Sequence, residues 1–106
     1  MSIMKKFIAP VALASLVGSA SLASAATEIQ WWHAMGGANG ERVNKIADDF
    51  NKSQSDYKVV PTFKGNYTET MTASIAAFRA KKQPHIVQVF EVGTATMMAA
   101  KGAIYP

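Results

Sequence analysis

The sequence predicts an α/β fold in which a parallel βαβαβα arrangement of strands is covered by helices. Three short, strand-like apolar runs alternate along the chain with three segments of helical character, an order that is typical of a parallel sheet. Polar side chains also appear where these apolar runs end. Because ligands of parallel α/β sheets bind outside the carboxyl ends of the strands, this pattern predicts the wall of a small-molecule cleft.

The first 25 residues have the features of a secretory signal peptide. Lys5 and Lys6 precede an apolar stretch at residues 7–17, and Ala23-Ser24-Ala25 fits a small-residue cleavage site. The apolar stretch is shorter than the ~20 residues that span a bilayer, although an uncleaved membrane anchor remains the alternative. We therefore expect an exported, soluble chain that begins at residue 26.

The charge composition of the remaining chain argues against a nucleic-acid-binding protein. Two of the 11 basic residues lie in the predicted signal, which leaves nine basic against seven acidic residues with no basic patch. We therefore expect no nucleic-acid partner.

The chain has no cysteine, so it lacks the disulfides on which small exported domains often depend. The chain also stops soon after a helix-like segment, and we expect it to be a fragment of a longer protein.

The first strand and the first helix are predicted on either side of a glycine-rich loop. Residues 27–32 are rich in bulky side chains and fit a strand, and residues 36–40 read as a flexible loop. From Glu41 onward, apolar residues recur at the spacing of an amphipathic helix, namely Val43, Ile46, Ala47 and Phe50. The order strand, loop, helix therefore opens the predicted fold.

Two further strand–helix pairs follow. A strand is predicted over Tyr57–Phe63, and Pro61 within it indicates an edge strand or the end of a strand, because proline donates no ladder hydrogen bond. A helix is predicted over residues 67–82. The near-continuous apolar run at residues 86–90 predicts a strand that is buried on both faces, and a third helix is expected over residues 94–100.

The candidate site residues lie at the ends of the predicted strands. Glu91 follows the third apolar run, where a carboxylate could accept hydrogen bonds from substrate hydroxyls; a helix cap or a lysine pair is the alternative. Tyr67 follows the second run and offers a ring and a hydroxyl, although packing alone would also explain it. Trp32 and His33, at the end of the first run, are candidate ligand-lining residues. For His33 we favour a solvated loop position.

No pattern in the sequence predicts catalysis, a metal or a cofactor. The His, Asp and Glu residues lack metal-ligand spacing, and no Gly-x-Ser-x-Gly segment indicates a hydrolase. The glycine-rich loop at residues 36–40 fails the dinucleotide and P-loop spacings. Free N–H groups at a helix start could still hold an anion there.

Several segments, taken in order, resemble one known family. The chain is similar to the extracellular solute-binding proteins of the sugar-binding type, and within them to members that bind sn-glycerol 3-phosphate. The resemblance covers nearly all of the chain after residue 25. Its most specific segments are Lys64-Gly65-Asn66-Tyr67 and Glu91-Val92-Gly93-Thr94-Ala95-Thr96-Met97-Met98, and Trp31-Trp32-His33-Ala34-Met35 and Ser74-Ile75-Ala76-Ala77-Phe78-Arg79 support them.

The resemblance implies a periplasmic binding component of an ABC importer. Such proteins have two α/β lobes, and residues 26–106 would form part of the N-terminal lobe. The implied ligand is sn-glycerol 3-phosphate or a related glycerophosphodiester, delivered to permease subunits in the inner membrane. The family's ligand-contacting tyrosine and glutamate fall on Tyr67 and Glu91, while its phosphate contacts lie beyond residue 106. A sugar or other polyol ligand, an inactive fragment and a nucleotide-dependent enzyme remain the alternatives.

Overall fold

The computed structural model describes residues 24–105 and confirms the predicted order of strands and helices. Most of the predicted signal peptide lies outside the described residues. The elements are β1 (Thr27–His33), α1 (Gly37–Ser53), β2 (Tyr57–Phe63), α2 (Tyr67–Arg79), β3 (Ile86–Val87) and α3 (Glu91–Ala99). The arrangement is α/β and fits a part of one lobe of a periplasmic binding protein.

The three strands form a parallel sheet in the order β2-β1-β3. The pairing of β1 with β2 runs in register from Thr27 opposite Tyr57 to His33 opposite Phe63. The connection from β1 to β2 and the connection from β2 to β3 run in opposite directions across the sheet. Because such connections are right-handed, they place α1 and α2 on opposite faces. Accordingly, α1 packs on β2, whereas α2 packs on β1, β3 and α3.

The third strand is shorter and more exposed than the sequence predicts. Only Ile86–Val87 pairs with β1, at the edge of the sheet, and Ile86 is 46% exposed. After one more hydrogen bond, from Gln88 N–H to the Trp32 carbonyl, the chain turns and Phe90 becomes the N-cap of α3. The prediction of a strand buried on both faces is therefore wrong for the described residues, because β3 has a neighbouring strand on one side only and the apolar run then continues into the cap of α3. Of the two positions that Pro61 predicted, an edge strand or a strand end, the sheet of the described residues shows the edge strand.

The first helix begins earlier than predicted. The glycine-rich segment at residues 36–40 is mostly the first turn of α1, which starts at Gly37 with φ +53°. Gly40 is required within this turn, because a Cβ there would lie 2.7 Å from the Met35 carbonyl oxygen. Helical spacing of apolar residues could not reveal this turn, since glycines carry no side chain.

The other two helices also differ from their predicted bounds. Helix α2 ends at Arg79 rather than residue 82, because Lys81 adopts a left-handed conformation with φ +58°. The Lys82 N–H donates to the Ala77 carbonyl and the Lys81 N–H to the Phe78 carbonyl, which closes a Schellman motif. Helix α3 begins at Glu91, three residues before the predicted start.

The core of the described residues is small and partly polar. Its buried apolar residues are Val43 and Ala47 on α1 and Met97 on α3. The buried polar residues Thr70 and Ser74 lie on α2, where the Ser74 hydroxyl donates to the Thr70 carbonyl at 2.7 Å. Among residues 24–105, no helix combines the length and hydropathy needed to cross a bilayer.

Candidate functional site

The carboxyl ends of the three parallel strands meet at one edge of the sheet, which we call the carboxyl edge. His33 ends β1, Phe63 ends β2 and Val87 ends β3. Each strand is followed within a few residues by the N-terminus of a helix, so three helix N-termini face this edge. The unpaired N–H groups of a helix N-terminus favour negatively charged or oxygen-bearing ligands.

Tyr67 and Glu91 occupy equivalent positions at this edge, on the side of the sheet covered by α2 and α3. Tyr67 is the first residue of α2 and Glu91 is the first residue of α3. The Tyr67 ring packs against the ring of Phe90, the residue directly before Glu91, with centroids 5.3 Å apart. The structure therefore brings the chain segments that carry Tyr67 and Glu91 into contact.

The polar groups of both residues remain available. Tyr67 is 38% exposed and Glu91 is exposed. Within residues 24–105, the Glu91 carboxylate neither caps α3 nor pairs with a lysine, so neither of its alternative roles is realised there. The principal cavities among these residues are lined by other side chains. Ligand binding by Tyr67 and Glu91 therefore remains a prediction.

The turn before Tyr67 is held by a capping box at the start of α2. The Asn66 side chain accepts a hydrogen bond from the Glu69 N–H at 2.8 Å, and the Glu69 carboxylate accepts one from the Asn66 N–H. Gly65 adopts φ +101°, which allows the chain to turn from β2 into the helix. These bonds fix the direction of the first turn of α2 and hence the position of Tyr67.

Lys64 is a charged residue at this edge that the sequence reasoning did not single out. Its ammonium nitrogen lies 4.0 Å from the centroid of the half-buried Trp32 ring, a cation–π contact. The backbone N–H of Lys64 donates to the His33 carbonyl at 2.9 Å, which holds the lysine against the end of β1. A lysine directly after a predicted strand was the signal that could have identified it.

His33 is buried, so the predicted solvated loop position is wrong. It is the last residue of β1, is 2% exposed and packs near the Trp31 and Phe63 rings. Its Nδ1 accepts a hydrogen bond from the Met35 N–H at 3.2 Å, and burial lowers the pKa of the imidazole. The ring is therefore neutral at pH 7, with its proton on Nε2.

The structure separates Trp32 from His33. Side chains of adjacent residues in a strand point to opposite faces of the sheet. His33 shares the α1 face with Trp31, which lines a groove with Ile46 and Phe50 of α1. Trp32 consequently lies on the α2 face, the side on which Tyr67 and Glu91 lie. Of the two candidate lining residues, only Trp32 is on the same face as the candidate site.

No metal centre forms within the described range. No group of three or more His, Cys, Asp or Glu side chains in residues 24–105 is placed to hold an ion.

Comparison with known proteins shows a close similarity to one group of periplasmic proteins. The chain is 62% identical over 89 residues to a sn-glycerol-3-phosphate-binding periplasmic protein of Rhizobium meliloti, covering 84% of this chain and 21% of the relative. The match to the Brucella abortus protein of the same name is 56% over 95 residues, covering 90% of this chain and 22% of the relative. The chain resembles the sn-glycerol-3-phosphate-binding periplasmic proteins. The resemblance predicted from the motifs is thereby confirmed.

The similarity extends to a third genus but not to the full length of any of these relatives. The sn-glycerol-3-phosphate-binding periplasmic protein of Yersinia enterocolitica is 61% identical over 84 residues, covering 79% of this chain and 19% of the relative. No family model matches the chain. The chain spans about a fifth of the length of the curated relatives that it matches.

Proposed function

We propose that this chain is part of the solute-binding component of an ABC importer that binds sn-glycerol 3-phosphate in the periplasm. The observation that carries the proposal is the similarity of most of the chain to sn-glycerol-3-phosphate-binding periplasmic proteins of three genera. In this proposal, the signal at residues 1–25 directs export, and the loaded protein delivers its ligand to permease subunits in the inner membrane.

The proposed roles of Tyr67 and Glu91 follow from their chemistry. The Glu91 carboxylate accepts hydrogen bonds from the glycerol hydroxyls, and the Tyr67 hydroxyl adds a donor and an acceptor. A carboxylate repels a phosphate, so the hydroxyl end of the ligand faces Glu91. Lys64, stacked on Trp32, supplies positive charge at the same edge of the sheet. Further phosphate contacts come from the parts of the protein that lie outside this fifth of the relatives' length.

Binding requires no bond to be made or broken in the solute, and we propose that the protein is not an enzyme. A second lobe closes over the carboxyl edge and removes the ligand from water, which strengthens each of its hydrogen bonds. Related glycerophosphodiesters, which share the glycerol and phosphate groups, are further candidate ligands for the same site.

Isothermal titration of the full-length protein with sn-glycerol 3-phosphate tests the proposal. We expect saturable binding, and weaker binding of glycerol or inorganic phosphate alone, because each offers only part of the contacts. Binding of a sugar instead of sn-glycerol 3-phosphate would identify the ligand as a sugar or another polyol. The absence of sn-glycerol 3-phosphate binding at millimolar ligand would refute it.

The variant Glu91→Gln tests the role of the carboxylate in the same titration. We expect it to weaken binding by ~1 to 3 kcal/mol, the scale of a hydrogen bond to a charged group. The matched control is Glu28→Gln, which removes the same charge in β1 near the opposite end of the sheet and should leave affinity unchanged. Equal affinities of the two variants would show that the Glu91 carboxylate does not contribute to ligand binding.

A further inference from the structure

Strand β3 is short for an element that leads into the candidate site. Within residues 24–105, it pairs with β1 through Ile86 and Val87, and Glu91 begins α3 shortly afterwards. So short a ladder supplies few backbone hydrogen bonds, although the register of a strand determines which residues reach the carboxyl edge. The position of Glu91 is therefore sensitive to any further bond that holds β3 against β1.

Gln88 forms a side-chain bridge to the end of β1 at the carboxyl end of β3. Its backbone N–H donates to the Trp32 carbonyl at 2.9 Å. Its side-chain Oε1 accepts a hydrogen bond from the Ala34 N–H at 3.0 Å, and this bond is partly buried. Reduced contact with water strengthens such a bond. Gln88 therefore fastens the chain directly after β3 to the chain at the end of β1.

His85 forms a similar bridge at the amino end of β3. Its backbone N–H donates to the Gln30 carbonyl at 3.1 Å, and its ring Nδ1 accepts a hydrogen bond from the Gln30 N–H at 2.9 Å. In both bridges, a side chain supplies the acceptor that a backbone carbonyl supplies in a regular parallel ladder. We call His85 and Gln88 the bridging residues.

The bridging residues lie away from the candidate site. Gln88 lines the groove beside Trp31 on the α1 face, whereas Tyr67 and Glu91 lie on the α2 face. His85 precedes β3, at the opposite end of that strand from the carboxyl edge. Their influence on a ligand therefore passes through the backbone of β3 and the start of α3. Gln88 precedes Glu91 by three residues, so a shift of Gln88 also shifts the first turn of α3.

We propose that the bridging residues are positioning residues for the ligand site, because they fix the register of β3 and thereby the place of Glu91. With both bridges formed, the Phe90 ring meets the Tyr67 ring with centroids 5.3 Å apart. This inference rests on the proposed function, since sn-glycerol 3-phosphate is the ligand whose binding reports the position of Glu91.

Nuclear magnetic resonance of the ¹⁵N-labelled full-length protein tests the positioning without a ligand. Gln88→Met keeps the length of the side chain but removes the acceptor, so we expect the amide resonances of Ala34 and Glu91 to shift. The matched control Gln83→Met changes an exposed glutamine before β3 and should leave both resonances in place. An unshifted Glu91 amide in Gln88→Met would overturn the proposal, whether or not the protein binds sn-glycerol 3-phosphate.

Calorimetric titration with sn-glycerol 3-phosphate tests whether Gln88 acts through Glu91. Gln88→Met alone should weaken binding roughly three- to tenfold, the scale of one hydrogen bond. In a protein that already carries Glu91→Gln, the same substitution should have little further effect, because no carboxylate is left to position. An equal loss in both backgrounds would indicate a general structural effect and contradict the proposal. No binding by the unchanged protein would refute the proposed function, and the Glu91 resonance would then decide this inference.

Conservative variants separate the lost acceptor from a general loss of folding. His85→Asn places an amide oxygen where Nδ1 accepts the Gln30 N–H, and should bind the ligand like the unchanged protein. His85→Leu offers no acceptor and should bind more weakly. Gln88→Glu retains an oxygen for the Ala34 N–H and should bind more tightly than Gln88→Met. Equal affinities within each of these two pairs would contradict the proposal.

Discussion

Tyr67 combines a structural contact and a free functional group in one side chain. Its ring packs on Phe90 with centroids 5.3 Å apart, and its hydroxyl is left without a partner among the described residues. The ring contact ties the start of α2 to the start of α3, while the hydroxyl is available to a ligand. The two roles can be separated by experiment, because phenylalanine retains the ring and loses only the hydroxyl.

We therefore expect Tyr67→Phe to weaken binding of sn-glycerol 3-phosphate by ~1 to 2 kcal/mol, the scale of one hydrogen bond, without changing thermal stability. Tyr57→Phe is the matched control, since Tyr57 begins β2 at the opposite end of the sheet and is 50% exposed. Calorimetric titration and thermal unfolding of both variants provide the two readouts. Unchanged affinity of Tyr67→Phe would show that the Tyr67 hydroxyl does not bind the ligand and that the residue serves only in packing.

His33 should make the protein sensitive to acid. Burial lowers its pKa below the ordinary value of 6.5, so the unfolded chain binds a proton at a higher pH than the folded chain does. The stability that His33 contributes is then complete above about pH 6.5 and is lost as the pH falls toward the folded-state pKa. Urea unfolding of the full-length protein should give a free energy of unfolding that declines below this pH.

The variant His33→Phe isolates this effect from that of the carboxylates. It removes the titrating group and should give a shallower decline on the acid side, with parallel curves for both proteins above about pH 7. An identical decline in the variant and the unchanged protein would assign the acid sensitivity to other groups.

At the scale of elements, the capping box of α2 determines how Tyr67 is presented. Asn66→Ala removes the acceptor for the Glu69 N–H and should destabilise the protein by about 1 kcal/mol. Asn39→Ala is a suitable control, because within residues 24–105 the Asn39 side chain bonds only to the exposed Arg42. Urea unfolding distinguishes the two variants, and equal stability would show that the capping box contributes nothing to the fold.

The elements that could be predicted from the sequence are those whose own residues and flanking residues determine their local structure. The bounds of β2 match because Tyr57–Phe63 is flanked by polar and glycine residues and carries an edge proline. Residues 86–90 were misjudged, since apolar character does not distinguish a strand from the cap of the next helix. The burial of His33 was also missed, because its neighbour Phe63 on β2 is set by strand register, which the sequence leaves unspecified.

At the scale of the whole molecule, the described residues leave much apolar surface uncovered. Their buried apolar residues are limited to Val43, Ala47 and Met97. In contrast, large apolar side chains remain exposed around the sheet and helices, among them Ile46, Phe50, Ile86, Val92 and Met98. Burial on this scale offsets little of the conformational entropy that folding removes.

Residues 26–106 produced alone should therefore unfold without a cooperative transition. We expect a shallow change in circular dichroism on heating and strong binding of an apolar dye, because the exposed surface lacks a partner. The full-length protein under the same conditions is the control and should unfold sharply. A sharp, cooperative transition of residues 26–106 would identify them as an autonomous domain.

We propose that the ligand binds at the carboxyl edge of the sheet, on its α2 face. A crystal structure of the full-length protein with sn-glycerol 3-phosphate would show its position. We expect a glycerol hydroxyl within ~3.2 Å of the Glu91 carboxylate and of the Tyr67 hydroxyl. A ligand bound elsewhere, with Glu91 and Tyr67 both facing solvent, would contradict it.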